Sequence, residues 1–434
     1  MDINYRINKL KQIKIELSKN REKILSALEK DLGKNHNEAY ISEYYTTLSE
    51  LEHTIKNLSK WEKPKKIRGQ MLNFFSKSYI IKKPYGKVSI ASPWNYPFYL
   101  SMVPLIGALA AGNKVLLKTS HKSFNTSILI KEILGKIFDE NEVKVIGLDE
   151  DNDKKRFLED ETDFIFFTGS KKVGDKIAEF AAKKSIPYVL ELGGKSPVII
   201  FSDFDISVAA KRIMYGKLIN AGQTCIAPDY VLIEEDKREI FIDECYKVID
   251  KLYGENILDS KFYSKIIDKE KIEYFKTMLK AEKIFCETDI SYEKQKMKPK
   301  IFATDMDSLF MKEEIFGPFL PVLSYKNIDD ILDTIKKNNF PLAMYIFTND
   351  KFNAEKIIKN ISAGGVTIND TLLHITNYNL PFGGIKNSGI GKYHGKYSYD
   401  IFTYETGVMK RSKIPDLLFR YPPYKIDLKK LFRK

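Results

Sequence analysis

Residues Asp163–Lys184 read DFIFFTGSKKVGDKIAEFAAKK: a short apolar run, a Thr-Gly-Ser break, then a helix-like segment over Lys172–Lys184. The apolar run predicts a buried strand, and Gly169 and Ser170 end it where a helix carrying Gly174 begins. Backbone N–H groups at such a junction suit a pyrophosphate. The stretch lacks the full Gly-x-Gly-x-x-Gly pattern, so an ordinary strand-to-helix turn stays open as a reading. Outward from it the alternation continues. KVSI, KVLLK, EVKVI, YVLEL and PVIIF, between Val88 and Phe201, are separated by helix-like segments such as Ser123–Phe138. This pattern predicts an α/β fold with a parallel sheet covered by helices on both faces. A second α/β block, with strand candidates DYVLI, LPVLSY, LAMYIFT and GGVTIN, follows Cys225. The junction of the two blocks is where a cleft is expected.

The 434 residues, 43% of them hydrophobic, suffice for two or three cored domains. Cys225, Cys245 and Cys286 stand at unrelated spacings and form neither a disulfide framework nor a metal clip. A reducing, cytoplasmic setting and no metal site are therefore expected. The net charge of +13 is interleaved with acidic residues along the chain, which reads as a solvated surface and not as a nucleic-acid site. The exception is the basic tail RYPPYKIDLKKLFRK, suited at most to weak contact with an acidic membrane surface. The N-terminal residues carry charges where a secretory segment would be apolar, and predict one amphipathic helix with Ile3, Ile7, Leu10, Leu17, Ile24 and Leu28 on one face and Gly33 as its stop. Val88–Asn113 has no charged residue, yet Pro93, Asn95, Pro97 and Pro104 interrupt it, so a buried strand, loop and helix is expected in place of a membrane span.

Four short stretches carry candidate chemistry. NAGQTCIAPDY presents Cys225 on a Gly- and Pro-bounded loop, where a thiol can meet a substrate as readily as it can pack. ELGGKSP puts Glu191 at a strand end before two glycines, and EEIFGPFLPV repeats the arrangement with Glu314 and Phe316. SPWNYPF holds Asn95 between prolines, an amide that needs a partner when buried and can serve a developing oxyanion. Each has a purely structural explanation alone. Together they supply a nucleophile, two carboxylates and an oxyanion donor beside a dinucleotide turn.

Along nearly its whole length the chain resembles the aldehyde dehydrogenase superfamily. The matching stretches stand in order: ALEKDLGK at Ala27–Lys34, SPWNYPF at Ser92–Phe98, FTGSKKVG at Phe167–Gly174, ELGGKSP at Glu191–Pro197, GQTCIAPDY at Gly222–Tyr230, EEIFGP at Glu313–Pro318 and LPFGGIKNSGIGKYHG at Leu380–Gly395. The Pro-Asp-Tyr after the cysteine, YGEN at Tyr253–Asn256 and the RYPPY tail look most like the class 3 branch, which includes fatty- and aromatic-aldehyde enzymes.

The resemblance implies NAD(P)-dependent oxidation of an aldehyde to the acid. Cys225 is then the nucleophile, Asn95 the oxyanion donor, Glu191 the base that hydrolyses a thioester, and Glu314 a second carboxylate. Trp94, Lys118, Gly169, Ser170, Gly174, Gly193 and Phe316 fall around the dinucleotide. Where the family pattern has a glutamate for the adenosine ribose, this chain has His121; loss of that anion makes NADP as well as NAD an admissible cofactor. Tyr96, Phe98 and Phe382 are expected to line an apolar path for a medium- or long-chain aliphatic or aromatic aldehyde. The resemblance further implies a Rossmann-like cofactor domain (1–75 and 88–192), a catalytic domain (193–397), bridging arms (76–87 and 398–412) whose exposed strands favour a homodimer, and a basic tail (413–434). An acylating dehydrogenase and a catalytically idle dinucleotide-binding protein are the alternatives; the first needs no base at Glu191, the second none of these groups.

Overall fold

Two six-stranded sheets and one three-stranded sheet organise a computed structural model of the chain, which describes residues 1–70, 73, 75–338, 340–413 and 421–423. The stretch quoted first forms strand Phe164–Thr168 and helix Lys171–Lys183. Its sheet runs Gly389–Ile390, Tyr188–Glu191, Phe164–Thr168, Lys87–Ala91, Lys114–Lys118, Val143–Ile146. The last five are mutually parallel, and Gly389–Ile390 is antiparallel to its neighbour. Lys87–Ala91, the earliest of the five in sequence, is central, with later strands added first on one side and then on the other. The order reverses between Lys87–Ala91 and Phe164–Thr168, so the loops after these two strands diverge and leave a crevice at their carboxyl ends.

The second sheet is parallel throughout, in the order Lys300–Ala303, Phe319–Tyr325, Tyr230–Glu234, Pro197–Ile200, Ala343–Phe347, Gly365–Ile368. Pro197–Ile200 had been read with the first block. It is central in the second sheet instead, because Leu192–Ser196 carries the chain across without a strand. Gly389–Ile390 makes the reverse crossing, returning from residues after 193 to the first sheet, where Gly389 pairs with Glu191.

The uncharged stretch forms strand Lys87–Ala91 and helix Tyr99–Ala111, every residue of which is buried. That helix lies between helix Thr46–Trp61 and the short helix Lys396–Ile401. The N-terminal region is two helices, Ile3–Lys19 and Arg21–Leu32, and not one. Asn20 breaks the run: its backbone leaves the helical region and its amide bonds back to Glu16 O at 2.8 Å. The hydrophobic face survives the break, with Leu10, Leu17, Ile24 and Leu28 fully buried, and Gly33 ends the second helix at φ +64°.

The two arms, which lacked an evident partner in the sequence, are partners of each other. Ser76–Pro84 pairs antiparallel with Thr403–Arg411 from Pro84↔Thr403 to Ser76↔Arg411, and Lys65–Ile67 adds the third strand. The basic tail lies largely outside the described residues. No helix among the described residues is long and apolar enough to cross a membrane.

Candidate active site

Cys225 sits in the loop between helix Ile206–Leu218 and strand Tyr230–Glu234. Three successive residues before it, Asn220, Ala221 and Gly222, have left-handed backbones at φ 52°, 52° and 76°. This tight turn presents the thiol upward without extending the helix. A Cβ on Gly222 would stand 2.3 Å from Gly317 O, so the loop and the EEIFGP segment are in backbone contact here.

Asn95 follows the central strand Lys87–Ala91 and is buried. Its Nδ2 donates to Gln223 O at 3.0 Å, bringing the amide beside the cysteine loop. Glu191 ends strand Tyr188–Glu191; its carbonyl accepts from Gly169 N at 3.0 Å, and neither carboxyl oxygen has a hydrogen-bond partner. Glu314 enters from the other wall. It accepts from Gly194 N, and its Oε1 is buried without a partner. A Cβ on Gly193 would fall 1.8 Å from Glu314 Oε2, so only glycine lets this carboxylate reach the cleft floor.

All four groups line one cleft of about 560 Å³. Thr168, Gly169, Ser170, Leu192 and Gly193 form the wall on the first sheet. Trp94 and Phe316 meet edge-to-face, centroids 5.5 Å apart, on a second wall. Leu100, Leu342, Ile375, Phe382 and Tyr393 close the apolar end.

Burial dominates the electrostatics. It pushes the Glu191 carboxyl well above the usual carboxylate range, with Lys392 acting weakly in the opposite direction. Glu314 is pushed up to about 8, by burial first and then by Asp229. The Cys225 thiol is raised by burial and by Glu314 and Glu191, while the N–H groups of Cys225 and Ile226 favour the thiolate. Formation of the thiolate is therefore opposed by burial and the two carboxyls and helped by the two N–H groups.

Three of the expected residues have other positions, and a fourth, His121, has a carboxylate partner. Phe98 is fully buried in the core, with its N–H donating to Glu43, and does not reach the cleft. Tyr96 does not line it either; its hydroxyl is 2.7 Å from Thr224 Oγ1, which holds the cysteine loop from behind. Gly174 is in the first turn of helix Lys171–Lys183, where a Cβ would be 2.7 Å from Leu192 Cδ2, so it lets the helix pack closely on Leu192. His121 is not a free cation. Its Nε2 is 3.1 Å from Glu150 Oε2, and burial together with Lys118 and Lys122 lowers its pKa despite that carboxylate.

Several supporting residues escaped the sequence reading. Lys34 closed a quoted motif with no role attached, and Asp229 was noted only as part of Pro-Asp-Tyr. Glu38, Glu43, Asn220 and Gln223 gave no local signal because each has a partner far along the chain, respectively Asn220, Phe98, Asn95 and Lys265.

The cleft suits a dinucleotide on its own features. Helix Lys171–Lys183 opens at it with no side chain capping its N-terminus, and the Gly193 floor admits close backbone approach. A parallel sheet with a crevice at its reversal point brings a thiol loop, an amide donor and two buried carboxylates to one cleft. Residues 1–408 match the Aldehyde dehydrogenase family, and the chain belongs to it.

Among its relatives, a family 3 aldehyde dehydrogenase of Dictyostelium discoideum is 40% identical over 428 residues, covering 97% of this chain and 90% of the relative. The 4,4'-diaponeurosporen-aldehyde dehydrogenase of Staphylococcus aureus is 39% identical over 429 residues, covering 98% and 93%. The solved substrate-bound state of Staphylococcus aureus AldH superposes with a TM-score of 0.96 at 38% identity, over 99% of this chain and 94% of that one. The protein is an NAD(P)-dependent oxidoreductase of the class that converts aldehydes to acids.

Replacing Gly222 by Ala tests the backbone contact. The left-handed conformation costs a side chain about 1–2 kcal/mol, and the clash with Gly317 O adds to it. Gly222→Ala should lower the unfolding midpoint and reduce alkylation of Cys225 by iodoacetamide; unchanged values for both would mean the loops are not in contact.

Proposed function

We propose that Cys225 is the nucleophile, that Asn95 Nδ2 and the Cys225 N–H receive the oxyanion, and that Glu191 is the general base, with Glu314 a second carboxylate near the thiol. The convergence of these groups on one cleft, from four separate segments of the chain, is the observation that carries the reading. Cys225 Sγ attacks the aldehyde carbon as its proton passes to a carboxylate, and the carbonyl oxygen becomes an oxyanion facing the two N–H donors. Bound NAD(P)+ supplies the hydride acceptor that leaves the acyl group on Cys225 as a thioester. Glu191 then takes a proton from a water that adds to the thioester carbon; the C–S bond breaks, and the acid and thiol are released. A thioester passed to coenzyme A would leave Glu191 without a task, which favours hydrolysis.

Trp94, Gly169, Ser170, Gly193 and Phe316, all on the cleft, would hold the cofactor. Lys118 and His121 stand at the carboxyl end of the neighbouring strand and serve its adenosine end. There the Glu150 carboxylate at His121 restores an anion to the corner that the sequence seemed to leave open. NAD+ is therefore the preferred cofactor. The substrate is an apolar aldehyde, since Leu100, Ile375 and Phe382 offer it no polar partner beyond the reacting centre.

The arm sheet supports a homodimer: Thr403–Arg411 is an open edge, with Tyr404 and Met409 exposed on it. Three cysteines at unrelated spacings, one of them the nucleophile of this reading, suit a reducing compartment such as the cytoplasm. The basic composition of residues 420–434 suits weak contact with acidic lipid.

Cys225→Ala should retain cofactor binding and lose aldehyde oxidation, while Cys245→Ala and Cys286→Ala stay active in an NAD(P)H absorbance assay; substantial turnover by Cys225→Ala overturns the assignment. Glu191→Gln should slow steady-state turnover by about 10²–10⁴-fold yet keep a pre-steady-state burst, because formation of the thioester outlives its hydrolysis. Loss of the burst as well would make Glu191 the acceptor of the thiol proton.

Since burial raises the Glu191 pKa, its basic form grows as pH rises, and the deacylation rate should keep climbing through the pH range in which an ordinary carboxylate is already ionised. A rate flat with pH in that range excludes Glu191 as the base. Glu150→Gln should move the NADP+/NAD+ ratio of dissociation constants toward NADP+, read by quenching of intrinsic fluorescence; no movement would place cofactor choice elsewhere.

A further inference from the structure

Lys34 and Glu43 are both completely buried and face each other at 2.5 Å. Lys34 is two residues past helix Arg21–Leu32, beyond the Gly33 cap. Glu43 lies in Tyr40–Tyr45, a π-helical turn that joins helix His36–Ala39 to helix Thr46–Trp61. Such a turn inserts a residue into the helical register and re-aims the side chains around it, and it recurs at functional sites. Here one of the re-aimed side chains is a carboxylate pointed into the core.

The pair does more than satisfy itself. Lys34 Nζ also donates to the backbone oxygen of Asn95 at 3.0 Å and stands 3.8 Å from the centroid of the Tyr96 ring. The other Glu43 oxygen accepts from Phe98 N at 2.9 Å and Tyr99 N at 3.2 Å, at the start of helix Tyr99–Ala111. The loop carrying Asn95 is thus gripped at that residue and again three and four residues beyond it.

A second grip comes from the cysteine loop. Asn220 Nδ2 donates to the same Asn95 oxygen at 2.8 Å and to Gln223 O at 3.1 Å, while Asn220 N donates to Glu38 Oε1 at 2.9 Å. The carbonyl of Asn95 accepts from an ammonium and an amide together, which leaves its peptide plane one orientation. The direction of the Asn95 side chain follows from that plane.

A buried ion pair is a poor source of stability, because desolvation of two charges offsets their attraction; hydrophobic replacements of similar volume are often neutral. What this pair supplies is direction. We infer that Lys34 and Glu43 are positioning residues for the Asn95 amide, fixing it against the Cys225 loop so that it meets the oxyanion. The inference rests on Asn95 being the oxyanion donor, and the experiment separates the two.

Four variants are compared with the parent: Asn95→Ala, Lys34→Met, Lys34→Met/Glu43→Gln, and the last combined with Asn95→Ala. Each is read for the rate of the pre-steady-state NADH burst, the NAD+ dissociation constant and the unfolding temperature. Loss of the donor itself should slow the burst by about 10²–10³-fold. Removing both charges should slow it by about 10–10²-fold, the cost of misplacing a catalytic group by about an ångström, with the NAD+ dissociation constant within about twofold of the parent. In the Asn95→Ala background the same double change should slow the burst no further, since there is no amide left to misplace.

A full additional loss in that background overturns the inference and makes the pair merely structural, and so does a parent-like burst in folded Lys34→Met/Glu43→Gln. An undiminished burst in Asn95→Ala overturns the reading of Asn95 instead. Should a variant with altered charge fail to fold, Glu43→Asp decides. It keeps the charge, shortens the arm, and should slow the burst at a parent-like unfolding temperature; a parent-like burst rejects the inference.

Discussion

The relative placement of the thiol and the second carboxylate depends on one buried acid, Asp229. Its Oδ1 accepts from Ile315 N at 3.0 Å, next to Glu314, and its Oδ2 pairs with the Lys195 ammonium. Lys195 in turn donates to Phe310 O at 2.7 Å and Glu313 O at 3.0 Å. Asp229 is four residues past Cys225, and Lys195 four past Glu191. Three segments far apart in sequence therefore meet at one charge pair, sealed from water and with its hydrogen-bonding capacity used. It holds in register the loops that the close contacts at Gly193 and Gly222 bring together.

The fold was largely legible because strands buried on both faces write themselves as apolar runs. DFIFFTGS, KVLLK and LAMYIFT became strands within a residue or two of their expected limits. What a local pattern does not carry is the sheet to which a strand belongs. PVIIF looks like its predecessors, and only its neighbours in space, Tyr230–Glu234 and Ala343–Phe347, distinguish it. The arms illustrate the same limit, since Tyr79 and Val408 are cross-strand partners separated by most of the chain.

The site divided along similar lines. Glycine- and proline-bounded stretches marked Asn95, Glu191, Cys225 and Glu314, because exposing a reactive group from a loop leaves a mark on the residues around it. Side chains that hold those groups leave none. Lys34, Glu38 and Glu43 sit among charged residues that look solvated, and nothing in DLGKNHNEAYISEYY distinguishes an inward carboxylate from an outward one until the π-helical turn rotates it. His121 shows the converse: its chemistry was visible, but its partner Glu150 arrives from the next crossover, so the charge at this corner could not be read from the histidine alone.

The return of Gly389–Ile390 to the first sheet has a mechanical meaning. The chain passes from one sheet to the other at Leu192–Ser196, beside Glu191, and comes back to pair Gly389 with that same residue. The two crossings therefore join the sheets at the floor of the cleft, on either side of Glu191. The wall above is joined differently: Trp94 and Phe316 meet edge-to-face, and Phe316 holds a left-handed backbone at φ 52°. The floor is thus secured by the continuous chain, and this wall by a contact between side chains.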